Sequence, residues 1–205
     1  MREINHLNPT LSASEQLSAE IIAILFEDTT KSFVVSMCVA LLMIVLLKGT
    51  SLTSHHAIWL SFIFASYCLR VVIVYLHSKK KSQLISPHVW LNRFRITSII
   101  CGLAWGTTGL FIFPTGNITA QTMIALFVAG ICAGALINYS IDKITAYAFT
   151  GGAMLLLCPA LLLEKQTISH IILLMMLVFV IYAAVACKKN GAGYFKQYYA
   201  THRSG

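Results

Sequence analysis

Charge is what this sequence has least of. Only 11% of its 205 residues are Asp, Glu, Lys or Arg, where a soluble domain carries about a quarter. Long polar stretches are missing too, so no segment has the composition of a soluble catalytic unit. Cysteine is present at six positions, but no CxxC pair occurs, and no His or acidic residue stands at ligand spacing beside any of them. Cys38, Cys68, Cys101, Cys132, Cys158 and Cys187 fall in or beside apolar runs, where cysteine acts as a small apolar residue. Neither a disulfide framework nor a zinc site is implied. Phosphate-loop, nucleophile-elbow and metalloprotease patterns do not occur, and the seven acidic residues are scattered outside the apolar runs. General acid–base chemistry needs such groups gathered in one cleft, so the expectation is a protein that is not an enzyme and holds no cofactor.

What is present is hydrophobicity, 58% of the chain. It is gathered into six runs, Phe33–Leu47, Ala57–Leu76, Ile96–Phe113, Thr119–Asn138, Ala146–Leu163 and Ser169–Cys187. A helix needs about 20 apolar residues to cross a hydrocarbon core, with about 17 as the lower limit. The first run reaches that length by taking in Thr29 to Ser32 and the stem of Lys48. Backbone amides in lipid must be satisfied within the segment, and no run shows the alternation of a barrel strand, so the runs read as helices. The expected fold is all-α: a polytopic membrane bundle of six transmembrane helices over residues 32–187. A cytoplasmic segment, 1–31, precedes it and a basic tail, 188–205, follows. The first run starts after some thirty residues and has acidic Glu3, Glu15, Glu20, Glu27 and Asp28 before it, unlike a cleaved signal peptide.

The formal net charge is +8. Lys79, Lys80, Lys81, Arg93 and Arg95 lie between runs two and three, and Lys188, Lys189, Lys196 and Arg203 follow run six. With Arg2, Lys31 and Lys143 they put twelve basic residues on one side, against Lys48 and Lys165 on the other. This asymmetry orients both termini to the cytoplasm. The basic clusters suit anionic headgroups, which makes the bilayer the expected partner and nucleic acid an unexpected one.

Ser12-Ala-Ser-Glu15 has the form of a capping box. It opens a segment with Leu17, Ile21, Leu25 and Phe26 at helical spacing, an amphipathic helix either packed on the bundle or used in dimerisation or signal relay. Arg70 is the one charge inside a run. Such a residue either snorkels or pairs structurally, or faces a cavity and meets a ligand. Gly102-Leu-Ala-Trp-Gly106 and Gly130-Ile-Cys-Ala-Gly134 repeat a small-xxx-small pattern in runs three and four. Close packing of those two runs is the first reading, and room for a ligand beside Trp105 is the second. Pro159 stands near the end of run five as a candidate kink or hinge. His55, His56 and His170 share one face of the bilayer but have no carboxylate or Cys near them, so interfacial anchoring is preferred to a metal site.

The order of these landmarks resembles the MASE-type multi-helix membrane modules that precede GGDEF, EAL or histidine-kinase output domains in bacteria. The matching residues are Trp59 and Leu69-Arg70, the basic connector, Trp90 with Phe94-Arg95, and Cys101-Gly-Leu-Ala-Trp-Gly106. Pro114, Ala129-Gly130 with Ala133-Gly134, and Pro159 complete the match, which covers about three quarters of the chain. The resemblance implies a sensor module of the bacterial inner membrane that passes a helix movement to an output domain. Arg70 and Trp105 match the pattern without being known contacts. No output motif follows run six, so the output is a separate polypeptide or the chain is a remnant or a fragment. Partnership would then be a homodimer or a separate cytoplasmic signalling protein. A small transporter and a structural membrane subunit are the rival readings; the first would need midplane polar groups and internal repeats, which are not evident.

Overall fold

The computed structural model describes residues 13–47, 53–78 and 86–202. Among them no strand occurs, and the helices are α1 (Ala13–Glu27), α2 (Thr29–Leu46), α3 (Thr53–Ser78), α4 (Pro87–Gly106), α5 (Thr108–Phe111), α6 (Ile118–Asn138), α7 (Lys143–Leu162) and α8 (Thr167–His202). Five stretches are long and apolar enough to cross a membrane: Leu17–Leu46, Ser54–Ser78, Ile118–Asn138, Lys143–Leu162 and Thr167–Cys187. They overlap five of the six expected runs, the first of them beginning at Leu17, inside the segment expected to be cytoplasmic.

The sixth, expected over Ile96–Phe113, takes a different form. Helix α4 begins nine residues earlier, with Pro87 in its first turn, and stops at Gly106. After a turn at Thr107, whose hydroxyl bonds the Ala104 carbonyl at 2.5 Å, the four-residue α5 carries the chain to Pro114. Proline suits the first turn because its missing N–H would be unpaired there anyway. Two of the polar residues that make α4 less apolar than its neighbours face protein: Thr97 and Ser98 are buried, among Trp90, Phe94, Cys101 and Trp105, while Asn92 and Arg93 are exposed. Ile96, Ile99 and Ile100 point outward. α4 is thus the central post of the bundle, and the other helices supply the apolar environment that lipid would otherwise provide.

The closest packing in the molecule joins α4 to α7. A Cβ added at Gly102 would lie 2.0 Å from the Phe149 carbonyl oxygen, and one at Gly106 would lie 2.7 Å from that of Ala153. Gly109 meets the Leu156 oxygen in the same way, and Gly152 on α7 answers with 3.0 Å to the Ile99 oxygen. Without a hydrophobic drive between helices in lipid, such backbone approach is what dispersion and weak hydrogen bonds need. The expected glycine pairing of runs three and four is therefore corrected. Gly102 and Gly106 serve α7, while a Cβ at Gly130 or Gly134 of α6 would meet nothing within 4 Å. The sequence alone shows that a face is clear; it does not show which helix comes to fill it.

The segment ahead of the bundle is helical and docked. Ile21, Ile22 and Leu25 of α1 are buried, and Phe26 stands 4.9 Å from the His77 ring and 5.5 Å from Phe94. This favours the packed lead-in reading; Ser12 of the capping box lies outside the described residues. At the other end α8 runs unbroken from its membrane stretch through residue 202. It is an outer helix: Ser169, Leu173, Met176 and Cys187 are buried, while Leu174, Met175, Ile181 and Tyr182 face outward.

Candidate functional site

Arg70 does not snorkel. Its side chain is fully buried on α3, held by groups from three other parts of the chain. Nη1 donates to the phenol oxygen of Tyr139 in the turn after α6, and Nη2 donates to Ser98 Oγ on α4 at 2.6 Å. Ser98 passes its own proton to the Phe94 carbonyl at 2.9 Å. The guanidinium carbon lies 4.8 Å from the Phe94 ring centre, 5.2 Å from Tyr139 and 5.8 Å from Tyr67. Three aromatic faces thus offset part of its charge. Among the described residues Nε has no hydrogen-bond partner and Arg70 makes no ion pair.

Tyr67, one helical turn before Arg70, carries the network onward. Its phenol oxygen accepts from Ser36 Oγ on α2 at 2.6 Å and from Trp105 Nε1 on α4 at 3.3 Å. Trp105 in turn packs edge-on against Trp59, ring centres 5.7 Å apart. Arg70 and Trp105, the two residues that match the family pattern, therefore flank one buried tyrosine instead of lining an open pocket.

The open space lies beside them. A cavity of about 390 Å³ separates α2 from α6. Val35 and Val39 border it on α2, Leu126, Phe127 and Ile131 on α6, and the hydroxyl-bearing residues Tyr67, Tyr139, Ser32 and Ser36 belong to its wall. Gly130 and Gly134 leave this gap; with large side chains there the helices would have no room between them. The second reading of the glycine faces, space for a ligand, fits α6, although Trp105 does not line the space. Asp28 and Lys31 stand at the end where α2 begins, 2.8 Å apart.

No protein-family model, no curated protein and no solved structure matches this chain. What the site can do must therefore come from its chemistry.

The remaining charges near the site are already satisfied. Arg95 clamps Asp142 through Nε and Nη2, both at 2.9 Å. Asp142 also caps α7, accepting from the Thr145 hydroxyl at 2.5 Å and its amide at 3.3 Å. Burial pushes the Asp142 carboxyl up, but the Arg95 and Thr145 hydrogen bonds outweigh it and hold the group below its ordinary value. At the opposite end Gln121, fully buried, donates to the Pro114 carbonyl and Glu164 and accepts from Ser169 at 2.7 Å. Among the described residues no group of three His, Cys, Asp or Glu side chains comes together as metal ligands, and all six cysteines are unpaired. Pro159 sits inside the last turn of α7, which runs past it to Leu162. The arrangement as a whole is a fixed positive charge in an apolar interior, next to hydroxyl-bearing residues and the cavity between α2 and α6.

Sequence reasoning singled out Arg70 but not Ser98 or Tyr139, which lie 28 and 69 positions away. Tyr67 was within reach of a pattern argument, since a residue three places earlier shares the helix face.

Proposed function

We propose that this chain is an input module of a bacterial inner-membrane signalling system, of the MASE-like kind, with six crossing segments and both termini in the cytoplasm. α4 and α5 together form the sixth crossing, with Thr97, Ser98 and Thr108 turned to protein. The observation that carries the reading is α8. One helix of 36 residues joins the outermost layer of the bundle to the tail without a break, about 54 Å at about 1.5 Å per residue. It packs on α6 and α7, and α6 forms one wall of the cavity. A change in the cavity's occupancy alters how α6 sits, and a continuous helix is the stiff element that passes such a change on. The receiver is a cytoplasmic partner or output domain, as a second copy or a separate protein.

The test is a fusion of the tail to a diguanylate cyclase reporter in a bacterial host. Gly134→Leu, which fills the cavity, should lock the output at one level, whereas a Gly-Gly insertion after Cys187 should uncouple it. Output indifferent to both changes would sink the relay. Alkaline phosphatase fusions after residues 50, 82, 116, 141, 165 and 205 check the crossings: activity is expected at 50, 116 and 165 alone.

A further inference from the structure

The cavity between α2 and α6 is graded along its length. Lys31, Asp28 and Asn138 stand at one end, the hydroxyls of Ser32, Ser36, Tyr67 and Tyr139 follow, and Val39, Leu126 and Phe127 close the other. Along α2 it reaches from Asp28 to Val39, about 16 Å of helix at about 1.5 Å per residue. That is about half of a 30 Å hydrocarbon core, the depth of one leaflet. Its volume, about 390 Å³, is at the lower end of the range for small-molecule pockets, which suits one chain and not two.

Two observations specify the polar end of an occupant. Tyr67 is 2% exposed and takes hydrogen bonds from Ser36 and Trp105, so its own O–H hydrogen has no acceptor among the described residues, and its ring lines the cavity. Tyr139, 4% exposed, accepts from Arg70, which polarises its O–H toward stronger donation; among the described residues its other hydroxyl contact is Ser32 Oγ, at 3.4 Å. Charge points the same way. The Asp28 carboxylate at the mouth is matched by Lys31, and Asp142 by Arg95, so among the described residues the buried Arg70 has ring faces and neutral hydroxyls around it but no carboxylate. Buried charges are normally paired, and a neutral guest would leave this one unanswered.

We propose that the cavity binds a single-chain anionic amphiphile, its oxyanion head against the Tyr67 and Tyr139 hydroxyls within the field of Arg70 and its acyl chain along Val39, Leu126 and Phe127. The head chemistry is shared by a free fatty acid and by an anionic phospholipid that lends one chain to the slot. This names the ligand class of the proposed input module and rests on that reading for its biological sense, but binding is measured without any relay, so the two fail separately.

The experiment uses the full chain in detergent, with brominated palmitate as quencher of tryptophan fluorescence. Trp105 lies 3.3 Å from the Tyr67 oxygen, so a chain in the slot quenches it. Saturable quenching is expected for the wild type, with the methyl ester of the same acid at least about tenfold weaker. Gly134→Leu or Gly130→Leu should remove the saturable part; a Cβ at either position meets nothing, so helicity and melting serve as checks that the fold persists. Tyr67→Phe with Tyr139→Phe should weaken binding by about tenfold. Saturation by brominated phosphatidylglycerol in nanodiscs, but not by palmitate, assigns the head to a membrane lipid, provided Gly134→Leu abolishes it. Equal quenching of the wild type and both glycine variants, or equal affinity for acid and ester, would overturn the proposal.

Discussion

Arg70 of α3 and Tyr139 of the α6–α7 turn are joined by a hydrogen bond from Nη1 to the phenol oxygen, 69 positions apart in the chain and both buried. The bond makes the cation dependent on a single neutral acceptor on that side. Tyr139→Phe keeps the ring that faces the guanidinium but removes the acceptor, and is expected to cost about 1–3 kcal/mol, the desolvation penalty of an unmet charged donor. Arg70→Met removes the donor as well and should be neutral or stabilising for the fold, as apolar replacements of buried charges often are. Thermal unfolding of the two variants in detergent measures the contrast; a Tyr139→Phe variant as stable as the wild type would refute it.

Glycine substitutions should divide by helix. Gly102→Ala places a methyl group 2.0 Å from the Phe149 oxygen, where backbone must move, and overpacking of this kind costs about 1–3 kcal/mol or more. Gly134→Ala meets open space and trades a poor helix former for a good one, for a gain of up to about 1 kcal/mol. Melting temperatures of the two single variants are expected on opposite sides of the wild type.

Stability should depend on acid through Asp142. Its carboxyl titrates below the ordinary value in the folded chain because Arg95 and Thr145 favour the charged form over the cost of burial. A depressed group stabilises fully above its unfolded value of about 4. That contribution is lost as pH falls through the lower folded value. Asp142→Asn should therefore flatten the stability profile below about pH 4 and lower stability at neutral pH by about 1–3 kcal/mol. An unchanged acid limb in the variant would count against the pairing.

Gln121→Leu tests the network at the far end. The change strips the Ser169 hydroxyl and the Pro114 carbonyl of their partner, both next to a fully buried site, and should cost about 1–3 kcal/mol. Glu164→Ala should cost less, because Glu164 is only half-buried and water can replace it. Urea or heat titration of each variant in the same detergent ranks them.

The helices were readable because apolar runs of membrane length leave the backbone few choices, and four expected ranges fall within about four residues of the observed helices α2, α3, α6 and α7. The run at Ile96–Phe113 was misjudged in form because hydropathy weighs a residue by its type and not by its surroundings. Asn92, Arg93 and Arg95 extend α4 ahead of the expected run, and Ser98 within it is buried by neighbouring helices. The glycine faces were legible as faces, yet their partners were not, since a cleared surface carries no address. The same limit hid the Arg95–Asp142 clamp, whose members lie 47 positions apart, and the Ser98 and Tyr139 contacts of Arg70. The cavity was invisible for a further reason: it arises from what two helices fail to fill, and no residue announces it.

The α4–α7 seam also bears on how kinship to this chain would be recognised. Outward-facing positions such as Leu110, Leu155 and Leu174 can exchange among Leu, Ile, Val and Phe with little consequence in a bilayer, so overall identity drifts quickly between descendants. Positions 102, 106 and 109 cannot accept even a methyl group without moving backbone, and 152 takes one only if its neighbours give by a few tenths of an ångström. Ancestry should then survive as a sparse cipher of spacings, glycines at 102, 106, 109 and 152 with an arginine at 70 and a tyrosine at 139, long after the apolar letters between them have been rewritten.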